Sequence, residues 1–91
     1  MYNLPVYQCH KKVGAAKIID VFAGVPGSTR IVLDTPCIED PSVGTFVNVD
    51  ADWLARNPKV SIGGYFVEYE DGYTSFSPAE PFESGYTLVM P

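Results

Sequence analysis

The sequence is poor in the residue types that most catalytic and metal sites require. It contains two cysteines, Cys9 and Cys37, and one histidine, His10. A structural zinc site needs four cysteine or histidine ligands, and these three residues do not follow a zinc-binding spacing. Cys9 and His10 are neighbours, and neighbouring side chains on a strand point to opposite faces, so they cannot pair as nucleophile and base. We therefore expect no catalytic residues, no metal ligands and no cofactor, and a protein that binds rather than an enzyme.

Signs of secretion and of membrane insertion are also missing. Small secreted domains usually carry about four cysteines or more. Residues 1–5 have neither the basic nor the apolar region of a signal peptide. No apolar run approaches the roughly 20 residues of a transmembrane helix. The sequence thus predicts a reduced, cytoplasmic location without a membrane partner.

Positive charge is scarce. Six Lys and Arg stand against eleven Asp and Glu, which gives a formal net charge of −5. The one local basic cluster, residues 10–12, is small, and nucleic-acid binders normally carry a larger basic patch. We therefore expect no nucleic-acid partner, while a small anionic ligand stays open.

Turn-forming residues, by contrast, are frequent. The 91 residues include eight Gly and eight Pro, and the apolar runs between them are short. A chain of this length predicts a single domain over 1–91. Short runs between turns predict an all-β fold, a small antiparallel SH3-like half-open barrel with two short helical segments. A four-stranded α+β sheet is the alternative.

The expected strands lie on both sides of a turn at 23–28. Residues 17–22 are apolar and β-branched on both faces and predict a central strand, with a bend or bulge at Gly14. Further strands are expected at 29–34 and 44–49. The segment between these two, residues 35–42, is rich in proline and acid and predicts an exposed loop.

A first short helix is predicted over 51–56. Asp50 suits the N-cap, and Trp53 and Leu54 would be its buried residues. Asn57, which precedes a proline, should end the helix in a left-handed conformation.

Asp-Gly at 71–72 predicts a two-residue type I′ hairpin between strands 63–70 and 73–76. That register pairs Tyr69 with Thr74 and Val67 with Phe76. One face of the hairpin would then be core and the other solvent. The core set is Val67, Tyr69, Thr74 and Phe76, and the solvent set is Glu68, Glu70, Tyr73 and Ser75.

A second helix is expected over 78–83. Ser77 and Glu80 have the spacing of a capping box, and Phe82 should face inward. Residues 84–85 would stop the helix, and residues 86–89 would return as an edge strand or as an extended tail.

The C-terminal third resembles a group of small bacteriophage-encoded proteins. Residues 63–87 match their pattern, G-G-Y-x-V-x-Y-x-D-G-Y-x-S-x-S-P-x-x-x-F-E-x-G-Y-T. Residues 11–18 also resemble the N-terminal strand of that group. The resemblance implies a phage origin and a location in the host cytoplasm or the virion, and it implies no particular activity.

The aromatic content suggests a binding surface. Six Tyr, five Phe and one Trp exceed what so small a core needs, and Tyr and Trp are frequent interface anchors. Arg30 ends a glycine-rich stretch, 24–30, that lacks the lysine of a P-loop but could form a small anion nest. The candidate binding residues are Tyr65, Tyr73, Trp53, Tyr86 and Arg30.

Two functions follow from these features and the resemblance. In the first, a phage accessory protein in the host cytoplasm evades host defence by binding a host protein or sequestering a small anionic signalling ligand. In the second, the alternative, the chain is a structural or decoration protein of the virion. A homo-oligomer is expected in either case, because a small domain gains stability by burying a second surface.

Overall fold

A computed structural model describes residues 4–8, 12–37, 40, 42 and 44–90. Within them lie seven strands and two short helices. In chain order they are β1 (Val6–Gln8), β2 (Lys12–Ala23), β3 (Ser28–Pro36), β4 (Gly44–Asp50), α1 (Ala51–Arg56), β5 (Tyr65–Glu68), β6 (Thr74–Ser77), α2 (Ala79–Gly85) and β7 (Thr87–Met90). Every recorded strand pair is antiparallel.

The long strand β2 belongs to two sheets. Its first half pairs with β1 and β5, and these continue to β7 and β6 respectively. Its second half pairs with β3, which continues to β4. Among the described strands no ladder joins β4 to β6, so the barrel is half-open. The predicted fold class, an all-β antiparallel half-open barrel with two short helical segments, is confirmed.

A β-bulge allows β2 to serve both sheets. Ile18 lies opposite Leu33 and Asp20 lies opposite Val32, so Ile19 is an extra residue. Such a bulge bends the strand and increases its twist. The bulge was expected at Gly14, but that residue lies in regular register. Its Cα approaches the N-terminal segment closely, and an added Cβ would lie 3.3 Å from Leu4 Cβ.

Two apolar clusters hold the fold together. The inner core lies between the sheets and contains Leu4, Ala16, Ile18, Ile31, Leu33, Val47, Val49, Trp53 and Phe66. The second cluster lies on the other face of β2 and β5, under α2, and contains Val13, Ala15, Tyr65, Val67 and Phe82. Phe82, predicted to face inward, is stacked on Tyr65 with ring centroids 4.3 Å apart.

Only the first half of β2 is therefore covered on both faces. The prediction that residues 17–22 belong to a central strand is confirmed, since β2 lies in the middle of the strand order. Its second half is nevertheless accessible on one face, where Ile19 and Phe22 are 46% and 43% exposed, because the cluster under α2 covers residues of the first half.

Helix α1 has the predicted bounds. The Asp50 side chain caps it by accepting from Trp53 N at 2.9 Å, and Trp53 is buried as expected. Leu54 is only half-buried. The left-handed end is wrong, since Asn57 has a φ of −130°. Instead its buried side chain donates to Trp53 O at 2.9 Å and accepts from Phe76 N at 3.0 Å, which ties α1 to the hairpin.

The predicted hairpin register is wrong by one residue. Glu68 lies opposite Thr74, not Ser75, and Tyr69 N donates to Tyr73 O at 2.8 Å. The loop thus has three residues, and Gly72 alone among them has a positive φ, +89°. A type I′ turn would need a positive φ at Asp71 as well. Asp71 Oδ1 instead accepts from Tyr73 N at 3.0 Å, which supports the longer loop.

Because side chains alternate along a strand, a register that differs by one residue from the predicted one reverses which side chains of β6 face the core. Thr74 and Phe76 now share the inner face with Phe66, and Trp53 Nε1 donates to Thr74 Oγ1 at 3.0 Å. Tyr73 shares the opposite face with Tyr69. Glu68, expected in solvent, lies on the inner side and is only 8% exposed.

The predicted capping box is also wrong. Ser77 ends β6 and pairs with Tyr65, and its hydroxyl contacts Pro78 O. Because Ser77 belongs to β6, the N-cap of α2 is Pro78, which makes no side-chain capping hydrogen bond. The edge strand after α2 is confirmed as β7. In the expected loop at 35–42, β3 extends to Pro36, and residues 38, 39 and 41 lie outside the described part.

Candidate functional site

The outward side of the β2–β3–β4 sheet presents apolar surface to solvent. Period two puts Ile31 and Leu33 in the core and turns the residues between them outward. We call this surface the outer face, and it consists of Phe22, Arg30, Val32, Phe46 and Asn48. Phe22 is 43% and Phe46 46% exposed, and no described helix packs over them.

Arg30 lies in the middle of the outer face. It is opposite Phe22 on β2 and Asn48 on β4. Its Nε donates to Asn48 Oδ1 at 3.3 Å, and its guanidinium carbon lies 5.3 Å from the Phe46 ring centroid. The cation therefore lies over an aromatic ring, within a half-apolar surface. Exposed aromatic rings around an ordered arginine are typical of protein-binding surfaces.

A second candidate surface is a cleft between the start of β2 and the β5–β6 hairpin, and we call it the hairpin cleft. It consists of two adjoining cavities of about 500 and 240 Å³ that share Lys12, Tyr69 and Glu70. Asp71 and Tyr73 line the larger cavity. The smaller one is lined by Leu4, Val6, Val13, Gly14 and Glu68 together with the shared residues.

Tyrosine rings form one wall of the hairpin cleft. The Tyr69 and Tyr73 rings are tilted by 37° with centroids 5.9 Å apart. Arg56 contacts Tyr73 twice: its Nη1 donates to the Tyr73 hydroxyl at 3.1 Å, and its guanidinium lies 5.4 Å from the ring. The helix α1 thereby holds Tyr73 in place although that residue is 49% exposed.

The five residues predicted to bind do not form one site. Tyr65 and Trp53 are 6% and 4% exposed and pack in the two clusters. Tyr86 is half-buried, with its ring stacked on Phe82. Tyr73 is in the hairpin cleft and Arg30 on the outer face. Two of the five are thus accessible, on different surfaces, and binding through any of them stays a prediction.

Residues of both surfaces were missed at the level of sequence, among them Phe46, Asn48 and Glu68. Phe46 and Asn48 alternate with the buried Val47 and Val49, so period two in β4 could have identified the outer face. The bulge at Ile19 hid the same pattern in β2. Glu68 was missed because the turn type, and with it the register, was wrong.

A charged contact fastens α2 to the sheet. Glu83 Oε2 accepts from the Tyr65 hydroxyl at 2.7 Å and lies 3.4 Å from Lys17 Nζ. The Tyr65 hydrogen bond, with that of Lys17, holds the pKa of Glu83 below its ordinary value. The contact adds to the packing of Phe82 and Ala79 in attaching α2 to the sheet.

Within the described ranges no three His, Cys, Asp or Glu side chains come together as a metal site would require. Asp40 accepts from both the hydroxyl and the amide of Ser42, which lowers its pKa.

Neither α1 nor α2, in the part of the chain that the structure describes, has the length to cross a bilayer.

The antiparallel half-open barrel is similar in fold to a solved structure. The NMR solution structure of the monomeric form of the phage L decoration protein superposes with a TM-score of 0.61 at 22% identity. The match covers 96% of this chain and 60% of that one, so the chain spans about three-fifths of the decoration protein's length. No family model and no curated protein matches the sequence. At this identity the likeness is one of fold.

Proposed function

We propose that the chain is a structural protein of a phage particle that decorates the capsid or tail. The observation that carries the proposal is the likeness in fold to a phage decoration protein over 96% of the chain. The resemblance of residues 63–87 to phage-encoded proteins supports the same assignment. The location would then be the virion rather than the host cytoplasm.

The outer face is the surface that we propose to contact the particle. It combines two exposed aromatic rings with an arginine already ordered by Asn48, so little side-chain entropy is lost on binding. Its apolar centre at Phe22 and Phe46 would be removed from water in the complex. Polar contacts from Arg30 and Asn48 would then orient the protein.

The accessory function, in which the chain sequesters a small anionic ligand, is less well supported. Among the described residues that line the hairpin cleft, Lys12 is the only cation and stands with the carboxylates of Glu68, Glu70 and Asp71. Such a charge balance disfavours an anion. Binding of a host protein and self-association stay predictions, and native mass spectrometry of the purified protein measures the latter.

The test begins with virions purified from the phage that encodes this chain. Quantitative mass spectrometry should find the protein in a fixed ratio to the major capsid or tail protein. Particles from a deletion mutant should then bind the added recombinant protein saturably. Absence from washed virions, or failure of the deletion particles to bind, would refute the proposal.

A pair of variants tests the contact surface. Phe46→Asp places a charge in the outer face and should weaken particle binding by about tenfold or more, as hot-spot aromatics do. Ile62→Asp is the matched control, because Ile62 is 63% exposed and lies in the segment between α1 and β5. Equal binding of the two variants would place the contact elsewhere on the protein.

A further inference from the structure

Glu68 is a largely buried residue whose carboxylate opens into the hairpin cleft. It is 8% exposed, and it lies opposite Gly14 on one side and Thr74 on the other. In the described part of the chain no hydrogen bond or salt bridge reaches its carboxylate. It lines the smaller cavity of the hairpin cleft, at the open end of the inner core. Its access to solvent is therefore through the cleft.

A carboxylate at the bottom of a partly apolar cleft attracts a cation more strongly than one in open solvent, because the apolar atoms around it screen its charge less than water does. Leu4, Val13 and Gly14, which line the cavity beside it, supply apolar atoms. Lys12 is at the rim and exposed, and it makes no ion pair with Glu68. A cation from outside the chain would satisfy the carboxylate that the fold leaves unpaired.

The rest of the cleft suits an organic cation with a flat or extended stem. The Tyr69 and Tyr73 rings form its wall, and aromatic faces attract guanidinium and ammonium groups. Arg56 already shows this contact on Tyr73. Glu70 and Asp71 add negative charge at the entrance. We propose that the hairpin cleft receives an arginine or lysine side chain of a partner protein, with Glu68 as its counter-ion.

The hairpin cleft shares no residue with the outer face, so a cation site there does not depend on the virion assignment. The probe is N-acetyl-L-argininamide, titrated into ¹⁵N-labelled protein and followed by NMR. Saturable shifts are expected at the amides of Gly14, Glu68 and Tyr69. The matched neutral probe, N-acetyl-L-citrullinamide, has the same shape without the charge and should produce no saturable shift. Equal response to both probes would refute a cation site.

Two variants of like chemistry test the counter-ion. Glu68→Gln keeps the shape of the side chain and should weaken argininamide binding by about tenfold, since it removes a charge-assisted contact. Glu80→Gln, on α2, should bind as the wild type does. Retained binding by Glu68→Gln, with its spectrum showing an intact fold, would overturn the proposal.

Further variants keep the test decisive if Glu68→Gln does not fold. Tyr73→Leu changes a half-exposed residue and should weaken argininamide binding severalfold by removing the aromatic wall. Lys12→Ala should bind as tightly or more tightly, because it removes the one cation that lines the cleft among the described residues. If Lys12→Ala abolished binding, or if Tyr73→Leu had no effect, the cleft would not be a cation site. The virion measurement is independent, so failure here leaves the proposed function standing.

Discussion

Asn57→Ala should destabilise the protein, because it removes two hydrogen bonds of a buried side chain. The Asn57 side chain is the bridge between α1 and β6, through Trp53 O at 2.9 Å and Phe76 N at 3.0 Å. Each such bond contributes a net of about 0.5–1.5 kcal/mol, and leaving a buried partner unsatisfied costs about 1–3 kcal/mol. Asn57 is 8% exposed, so water replaces these bonds poorly. We expect a loss of about 2–4 kcal/mol in the free energy of unfolding.

Urea unfolding followed by tryptophan fluorescence measures this loss, because Trp53 packs on Phe66 in the inner core. The matched control is Asn48→Ala, the same substitution at an exposed position, which should change stability by about 0.5 kcal/mol or less. Hydrogen exchange adds a local measurement, since the Phe76 amide should lose protection in Asn57→Ala. If the two variants unfolded at the same urea concentration, the bridge would not stabilise the fold as argued.

Three further predictions concern the hairpin and α2. Gly72→Val should lower the unfolding midpoint strongly, because a β-branched residue is strained at a φ of +89°; a change within error would contradict the three-residue loop. Tyr69→Ala should cost about 2–4 kcal/mol and exceed Tyr73→Ala, because Tyr69 packs on the second cluster while Tyr73 is 49% exposed; equal chemical-denaturation midpoints would argue against this packing. Tyr65→Phe removes the hydrogen bond that lowers the pKa of Glu83. The stability difference from wild type should therefore be full above about pH 4.3, the ordinary range of glutamate, and shrink as pH falls through the lowered pKa; thermal melts that show an unchanged difference in acid would refute it.

The proposed decoration function and the proposed cation site use different surfaces of the protein. Decoration needs a surface that docks on a particle, and the outer face provides ordered, half-exposed aromatic residues for it. The cleft would bind a single basic side chain. It lies beside Lys12 at the start of β2, whereas Phe22 of the outer face is near the end of that strand. A decoration protein with both could contact two neighbours in the same particle. Particle-binding assays with Glu68→Gln and Phe46→Asp would separate the two contributions.

Local signals in the sequence were sufficient where a few neighbouring residues determine the conformation. Helix α1 has the predicted bounds because Asp50 caps it by bonding the backbone three residues on. The turn before β3 and the strands β3 and β4 follow from glycine, proline and β-branched runs. The edge strand β7 was found for the same reason. These features depend on propensities that the chain carries without tertiary contacts.

The hairpin shows where local signals stop. Asp-Gly is compatible with a two-residue type I′ turn and with a three-residue loop that ends in a left-handed glycine, and both satisfy the same dipeptide. The three-residue form puts Thr74 against Trp53 Nε1 and Phe76 N against Asn57, partners that are distant in the chain. Those contacts select the register, and the register buries Glu68.

The sequence by itself determined the all-β class, the two helical segments and most strand positions, because alternation and turn residues act over a few neighbours. Tertiary structure alone decided which side of each strand is covered. The bulge at Ile19, the choice of hairpin register and the position of α2 each depend on pairing between distant segments. Both candidate surfaces result from those choices. Phe22 and Phe46 are exposed because α2 covers the other sheet, and Glu68 lines the cleft at low exposure because β6 is shifted by one residue from the predicted register.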